Sequence, residues 1–132
     1  MTDITSALAG ERPIKAVSYG SIVLNGPDLT YEETGKGSHL GRYQAEGEWE
    51  EIEVSATVIT YSETGSFRMA NGDLIHYEGT ALLHLETGIS FGINRFVGGT
   101  GKFADVTGEM TYESVPTSEL DYVTYLEGTI DY

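Results

Sequence analysis

The sequence predicts an all-β fold, a single antiparallel eight-stranded β-barrel, and three features point there. Almost every segment either alternates apolar and polar residues with period two or runs β-branched and aromatic, between glycine-containing turns. Short turns make successive strands antiparallel neighbours, and closing the sheet removes the unpaired edges that about eight such strands would otherwise expose. The 132 residues suit one domain, and they match the roughly eight to eleven residues per strand, plus turns, that such a barrel consumes. A β-sandwich is the competing architecture. Gly20, Gly47, Gly79, Gly92, Gly108 and Gly128 favour the barrel, because they sit mid-strand, where glycine weakens a sheet unless it permits a bend or a close approach.

In chain order, residues 1–13 read as an N-terminal extension and residues 14–132 as the barrel domain. Strands are expected at Ile14 to Leu24, Leu29 to Lys36, His39 to Glu46, Ile52 to Tyr61, Ser66 to Ala70, Leu74 to Leu85, Ile89 to Val97, Val106 to Val115 and Leu120 to Tyr132. One or two of these merge or stay short. Turns are expected at Asn25-Gly26-Pro27-Asp28, Glu63-Thr64-Gly65, Asn71-Gly72-Asp73 and Glu86-Thr87-Gly88. Asn-Gly supplies the positive φ of a tight hairpin, and Pro27 presets φ at about −65°. Thr5 to Gly10 is too short to hold a helix alone, and Glu48 to Glu53 reads equally well as a solvated strand.

Charge and composition exclude several functions. Twenty-one acidic side chains against seven basic ones give a net charge of −14, which repels phosphate backbones and anionic bilayers, so neither nucleic acid nor membrane is an expected partner. The absence of cysteine removes disulfides, thiolate zinc sites and a cysteine nucleophile. No run approaches the roughly 18 apolar residues of a membrane span. The first residues lack a basic segment followed by an apolar core, so a cytoplasmic, soluble protein is expected. Fatty-acid-binding barrels have a similar length, but here the first strand runs through Gly26-Pro27-Asp28 into Leu29 without a helical period, and the last strand carries no basic residue.

Three strings, taken in order, carry a family resemblance: Gly37-Ser38-His39-Leu40-Gly41-Arg42-Tyr43, Phe67-Arg68-Met69-Ala70-Asn71-Gly72-Asp73, and Gly98-Gly99-Thr100-Gly101-Lys102-Phe103-Ala104-Asp105-Val106-Thr107-Gly108. Together they resemble small bacterial proteins of the allene oxide cyclase-like barrel superfamily, which includes dirigent proteins and spirotetronate-type cyclases. The third string departs from the GGTGRF-x-G-x-TG pattern at Lys102 and Asp105. The resemblance spans about residues 14 to 132. It implies an eight-stranded barrel whose interior receives a hydrophobic small molecule, in a homodimer or homotrimer, with no cofactor; no catalytic residue is carried over by a motif. In plain physical terms the glycines supply turn positions, and Phe103 and Val106 plug a barrel end.

Candidate site residues come from strand faces. On Leu74 to Leu85, the face Ile75, Tyr77, Gly79, Ala81, Leu83 and Leu85 reads as inward, which puts His76 and Glu78 outside, about 7 Å apart; a polar lumen would invert this and make Glu78 or His76 a general base. Met110, Tyr112 and Ser114 share an inward face, as do Tyr122, Thr124 and Leu126. For Ile89 to Val97 either face is open, since Arg95 spoils one while Gly92 and Asn94 suit the other. A ligand pocket is therefore assembled from Tyr19, Tyr77, Leu83, Phe91, Met110, Tyr112, Tyr122 and Leu126, with Glu32, Arg42, Asn94 and Arg95 as orienting polar groups. The alternative is a fully packed core, with Arg42 and Glu32 pairing to support it. Tyr112 and Glu78 are the catalytic candidates. No metal site is expected, because His76 and His84 lie about 26 Å apart along one strand, and the Glu46 to Glu53 run lacks the pattern of a calcium loop. No G-x-S-x-G elbow is present. The function expected is a cofactor-independent cyclase or isomerase that acts by confining a hydrophobic, polyketide- or lipid-derived substrate; the alternative is a non-catalytic ligand-binding or structural barrel.

Overall fold

The computed structural model describes residues 10–132, and the expected extension of residues 1–13 lies mostly outside them. The chain forms eight strands: β1 (Glu11–Asn25), β2 (Asp28–Gly37), β3 (Gly41–Val54), β4 (Val58–Met69), β5 (Leu74–His84), β6 (Ser90–Gly99), β7 (Thr107–Pro116) and β8 (Asp121–Asp131). Each pairs antiparallel with its neighbour in sequence, and β1 pairs with β8, so the sheet closes into a barrel. The sandwich is excluded. Among the described residues no helix is long and apolar enough to cross a membrane.

Two expected boundaries are corrected. Glu63-Thr64-Gly65 is not a turn but the middle of β4, which joins the second part of the strand expected at Ile52 to Tyr61 to the one expected at Ser66 to Ala70, while Ile52 to Val54 belong to β3. The reversal falls instead after Val54, where the Ser55 amide donates to the Val58 carbonyl at 2.9 Å. The Glu48 to Glu53 run is the outer end of β3, with a bulge between Glu51 and Glu53.

The reason glycine recurs mid-strand is packing. Five tyrosines face inward directly opposite a glycine on the paired strand: Tyr31 with Gly47, Tyr43 with Gly35, Tyr77 with Gly65, Tyr112 with Gly92, and Tyr122 with Gly20. A Cβ at any of these glycines would overlap the ring lying over it, at 2.6 Å from Cζ for Gly20 and Gly35. Because Gly47 and Gly65 are themselves paired, the rings of Tyr31 and Tyr77 approach from opposite sides and their hydroxyls meet at 2.5 Å. Phe67 packs between Tyr43 and Tyr77, with ring centroids 4.9 and 5.0 Å away.

The two barrel ends differ. At one, Leu40 from the β2–β3 turn, Phe103 from a single 3-10 turn (Gly101–Phe103) and Val106 are buried against Ile14 and Ile130. They stopper that end, as expected for Phe103 and Val106. At the other, the β1–β2, β3–β4, β5–β6 and β7–β8 connections surround an opening.

The ring-over-glycine contact predicts a coupled mutational effect. Gly65→Ala should cost about 1–3 kcal/mol through overpacking, measured by urea unfolding. In a Tyr77→Ala background the added cost of the same change should fall without vanishing, because the ring is gone while the Glu46 carbonyl oxygen, 2.8 Å from the new methyl, remains.

Candidate functional site

Two carboxylates lie inside the barrel, each reaching across a glycine. Glu63 on β4 is opposite Gly79 of β5, which is in turn opposite Asn94 of β6. With no side chain at position 79, Asn94 Nδ2 donates to Glu63 Oε1 at 2.9 Å. The Tyr112 hydroxyl donates to the same oxygen at 2.8 Å, and Trp49 Nε1 donates to Oε2 at 3.1 Å. Glu63 is 3% exposed. Glu33 on β2 repeats the arrangement: Gly20 separates it from Tyr122, whose hydroxyl donates to Glu33 Oε2 at 2.7 Å. Ser18, bonded to the Tyr43 hydroxyl, lies near enough to Glu33 to favour its charged form.

Burial sets the protonation of this cluster. Removing Glu33 from water pushes its carboxyl up to about 7, with Glu63 nearby adding to the rise, while the Tyr122 and Ser18 hydrogen bonds pull it back. Burial, then the neighbouring carboxylates, hold the Tyr112 and Tyr122 phenols far above their usual range. Tyr31 and Tyr77 are raised in the same way, and Tyr43 is pushed up to about 12. The tyrosines are therefore neutral donors, and one carboxyl gains or loses its proton near neutrality. That is the arrangement required for acid–base work in a single cavity.

Above the carboxylates, the open end holds a cavity of about 270 Å³. Ile22, Leu29, Ala81, Leu83 and Leu120 form its apolar wall; Trp49, Tyr61, Tyr112 and Tyr122 supply aromatic surface. Trp49 stacks on Tyr31 with centroids 4.4 Å apart. Three of the lining side chains, Trp49, Tyr112 and Tyr122, hydrogen-bond the carboxylates, which joins the cavity to the carboxylate pair.

The structure brings together part of the expected pocket. Tyr112, Tyr122 and Leu83 line the cavity. Tyr77, Asn94, Met110 and Leu126 are buried deeper in the lumen. Two expected lumen residues are corrected, since Tyr19 is 68% and Phe91 44% exposed on the outer wall. On β6 the inward set is Gly92, Asn94 and Phe96, which settles the face left open by the sequence. Glu32 and Arg42 point outward, and in the register Glu32 faces Glu46 while Arg42 faces Lys36, so they form no buried pair. Glu78 also lies outside, bound to Arg95 at 2.7 Å; the cavity's carboxylates are others. Among the described residues no group of His, Asp and Glu is arranged to hold a metal ion.

Sequence reasoning missed Glu33, Glu63 and Trp49. Alternation does carry a signal for them: Tyr31, Glu33 and Gly35 share one face, as do Tyr61, Glu63, Gly65 and Phe67. It was masked where Glu63-Thr64-Gly65 imitates a turn.

No protein-family model and no curated protein matches the chain. Solved structures do. The pterocarpan synthase dirigent protein PsPTS1 superposes with a TM-score of 0.59 at 13% identity, over 92% of this chain and 95% of that one. The pterocarpan synthase dirigent protein GePTS1 gives 0.57 at 15% identity, over 92% and 86%. The fold is a dirigent-like barrel. At this identity the likeness is one of architecture, in agreement with the superfamily resemblance carried by the three sequence strings.

The raised carboxyl of Glu33 has a consequence for stability. Between its ordinary 4.5 and its folded value near 7, the folded state holds a proton that the unfolded state has released. Stability therefore falls as pH rises through this window, by about 3 kcal/mol from this group. Thermal melts at pH 4.5 and 7.5 should show that loss in the native protein, and Glu33→Gln should flatten it.

Proposed function

We propose that the open-end cavity binds a hydrophobic small molecule and isomerises or cyclises it by confinement and proton transfer, without a cofactor. The observation that carries this reading is the continuity of an apolar, aromatic cavity with two inward carboxylates, Glu63 buried and Glu33 half-buried, each reached through a tyrosine hydroxyl. Tyr112 takes a proton from the ligand as its own passes to Glu63; Tyr122 returns one as a protonated Glu33 replaces it, and exchange with solvent then returns a proton to Glu33 and removes one from Glu63. One proton is removed and one restored, so the reaction is balanced for an isomerisation or ring closure. Confinement in a shaped pocket supplies the rest of the rate. Tyr112 keeps the catalytic role expected of it, and the carboxylate role assigned to Glu78 passes to Glu63 and Glu33. The names of the structural neighbours, synthases of the dirigent type, support reading the lumen as a place where a small molecule is directed or made. A binding barrel without turnover uses the same cavity and differs only in leaving the carboxylates idle.

Binding and chemistry are tested separately. Trp49 is the chain's single tryptophan and lines the cavity, so a neutral dye such as N-phenyl-1-naphthylamine should quench it in a 1:1 titration. Conversion of 3-cyclohexen-1-one to 2-cyclohexen-1-one, a neutral proton shift followed by absorbance, should exceed background. Glu63→Gln and Tyr112→Phe should each lower that rate by about 10²-fold or more with dye binding retained. Equal rates in both variants would remove the acid–base assignment and leave a binding protein.

A further inference from the structure

We propose that the cavity's ligand is an organic cation, a hydrophobic amine in its protonated form, seated on the aromatic faces above Glu33 and Glu63. This rests on reading the cavity as the ligand site and adds the charge of what enters it.

The first argument is the sign of the lining. Among the described residues no lysine, arginine or histidine lines the cavity, whereas Glu119 and Asp121 stand at its rim. The field inside is negative from the rim carboxylates above and the buried ones below, and low-dielectric walls concentrate it. Glu33 and Glu63 also lack a counter-ion, since the single ion pair among the described residues is Arg95 with Glu78 on the outer wall. A carboxyl shielded from water without a charged partner resists ionising, and a cationic ligand above it supplies the partner that favours the charged form.

Hydrogen-bond polarity gives a second, independent argument. The N–H of Trp49 and the hydroxyls of Tyr112 and Tyr122 all donate to the carboxylates beneath them. What these three side chains have left to offer is phenolic lone pairs and ring faces. An ammonium group donates to such oxygens and is attracted to such faces, Trp most strongly. A carboxylate or phosphate ligand brings only acceptors and meets no free donor on them. The volume of about 270 Å³ is at the small end for ligand pockets, which suits one ring with a short amine-bearing chain.

Three probes that differ only at one end decide the matter: 4-phenylbutylamine, 4-phenylbutan-1-ol and 4-phenylbutyrate, titrated into the full chain at pH 7 with Trp49 fluorescence as readout. The amine should bind about tenfold or more tighter than the alcohol, and the carboxylate weakest of the three. In Glu63→Gln, and separately in Glu33→Gln, the amine-to-alcohol ratio should shrink toward one, with the alcohol titration in the same variant showing that the cavity is intact. An alcohol that binds the native chain as tightly as the amine overturns the charge proposal while leaving the cavity as the ligand site. So does an unchanged ratio in both variants. If none of the three probes perturbs Trp49, the cavity reading itself falls and takes this proposal with it.

Discussion

The structure depends on one packing contact, a tyrosine ring laid flat over a glycine of the neighbouring strand. An eight-stranded barrel has an interior just wide enough for side chains, and inward tyrosines pointing at the axis from every strand would overfill it. Glycine opposite each ring lets the ring lie along the wall instead. This arrangement recovers buried area that glycine alone would forgo. It also fixes where each hydroxyl goes: two meet each other, one meets Ser18, and the remaining two reach carboxylates. The polar chemistry of the lumen follows from that geometry.

The carboxylates are the expensive part of the design. Burying an ionised carboxyl costs several kcal/mol, and hydrogen bonds to charged groups return about 1.5–3 kcal/mol each. Three donors on Glu63 are of the size needed to hold it in the lumen. Glu33, with fewer donors, meets the same cost by keeping its proton to higher pH. A packed hydrophobic core of equal volume would be cheaper, so the carboxyls mark the lumen as the functional-site candidate on which the proposed chemistry rests.

Much of the fold was legible because strand alternation and glycine turns are local signals. The inward faces of β5, β7 and β8 could be read directly, and with them Tyr77, Leu83, Met110, Tyr112, Tyr122 and Leu126. Phase was lost on β1, β2 and β6, where adjacent candidates compete. Tyr19 looks like a lumen residue until Ser18 and Gly20 are seen to be the inward pair, and Glu32 stands one residue from the carboxylate that faces in. Glu63 was hidden for a different reason. A Glu-Thr-Gly triplet has the composition of a turn, and only the ring of Tyr77 across the strand pair explains why glycine follows so closely there. Such a glycine is chosen by a residue twelve positions away, which no window along the chain records.

The unequal ends of the barrel assign different tasks to its connections. The seven-residue passage from β6 to β7 folds back as a 3-10 turn and buries Phe103 and Val106, closing one end. A change there would disturb Ile14, Ile130 and the start of β8's partner strand together. The connections at the opposite end are short and contribute Gly88, Ser118 and Leu120 to the cavity wall with no comparable burial. Substitutions in these connections alter the shape and polarity of the entrance while the ring-over-glycine contacts beneath stay in place. In the proposed function, ligand choice therefore resides in the open-end hairpins and the rim carboxylates, and proton transfer in the strands. The barrel keeps the two apart by placing one layer of aromatic side chains, Trp49, Tyr112 and Tyr122, between them.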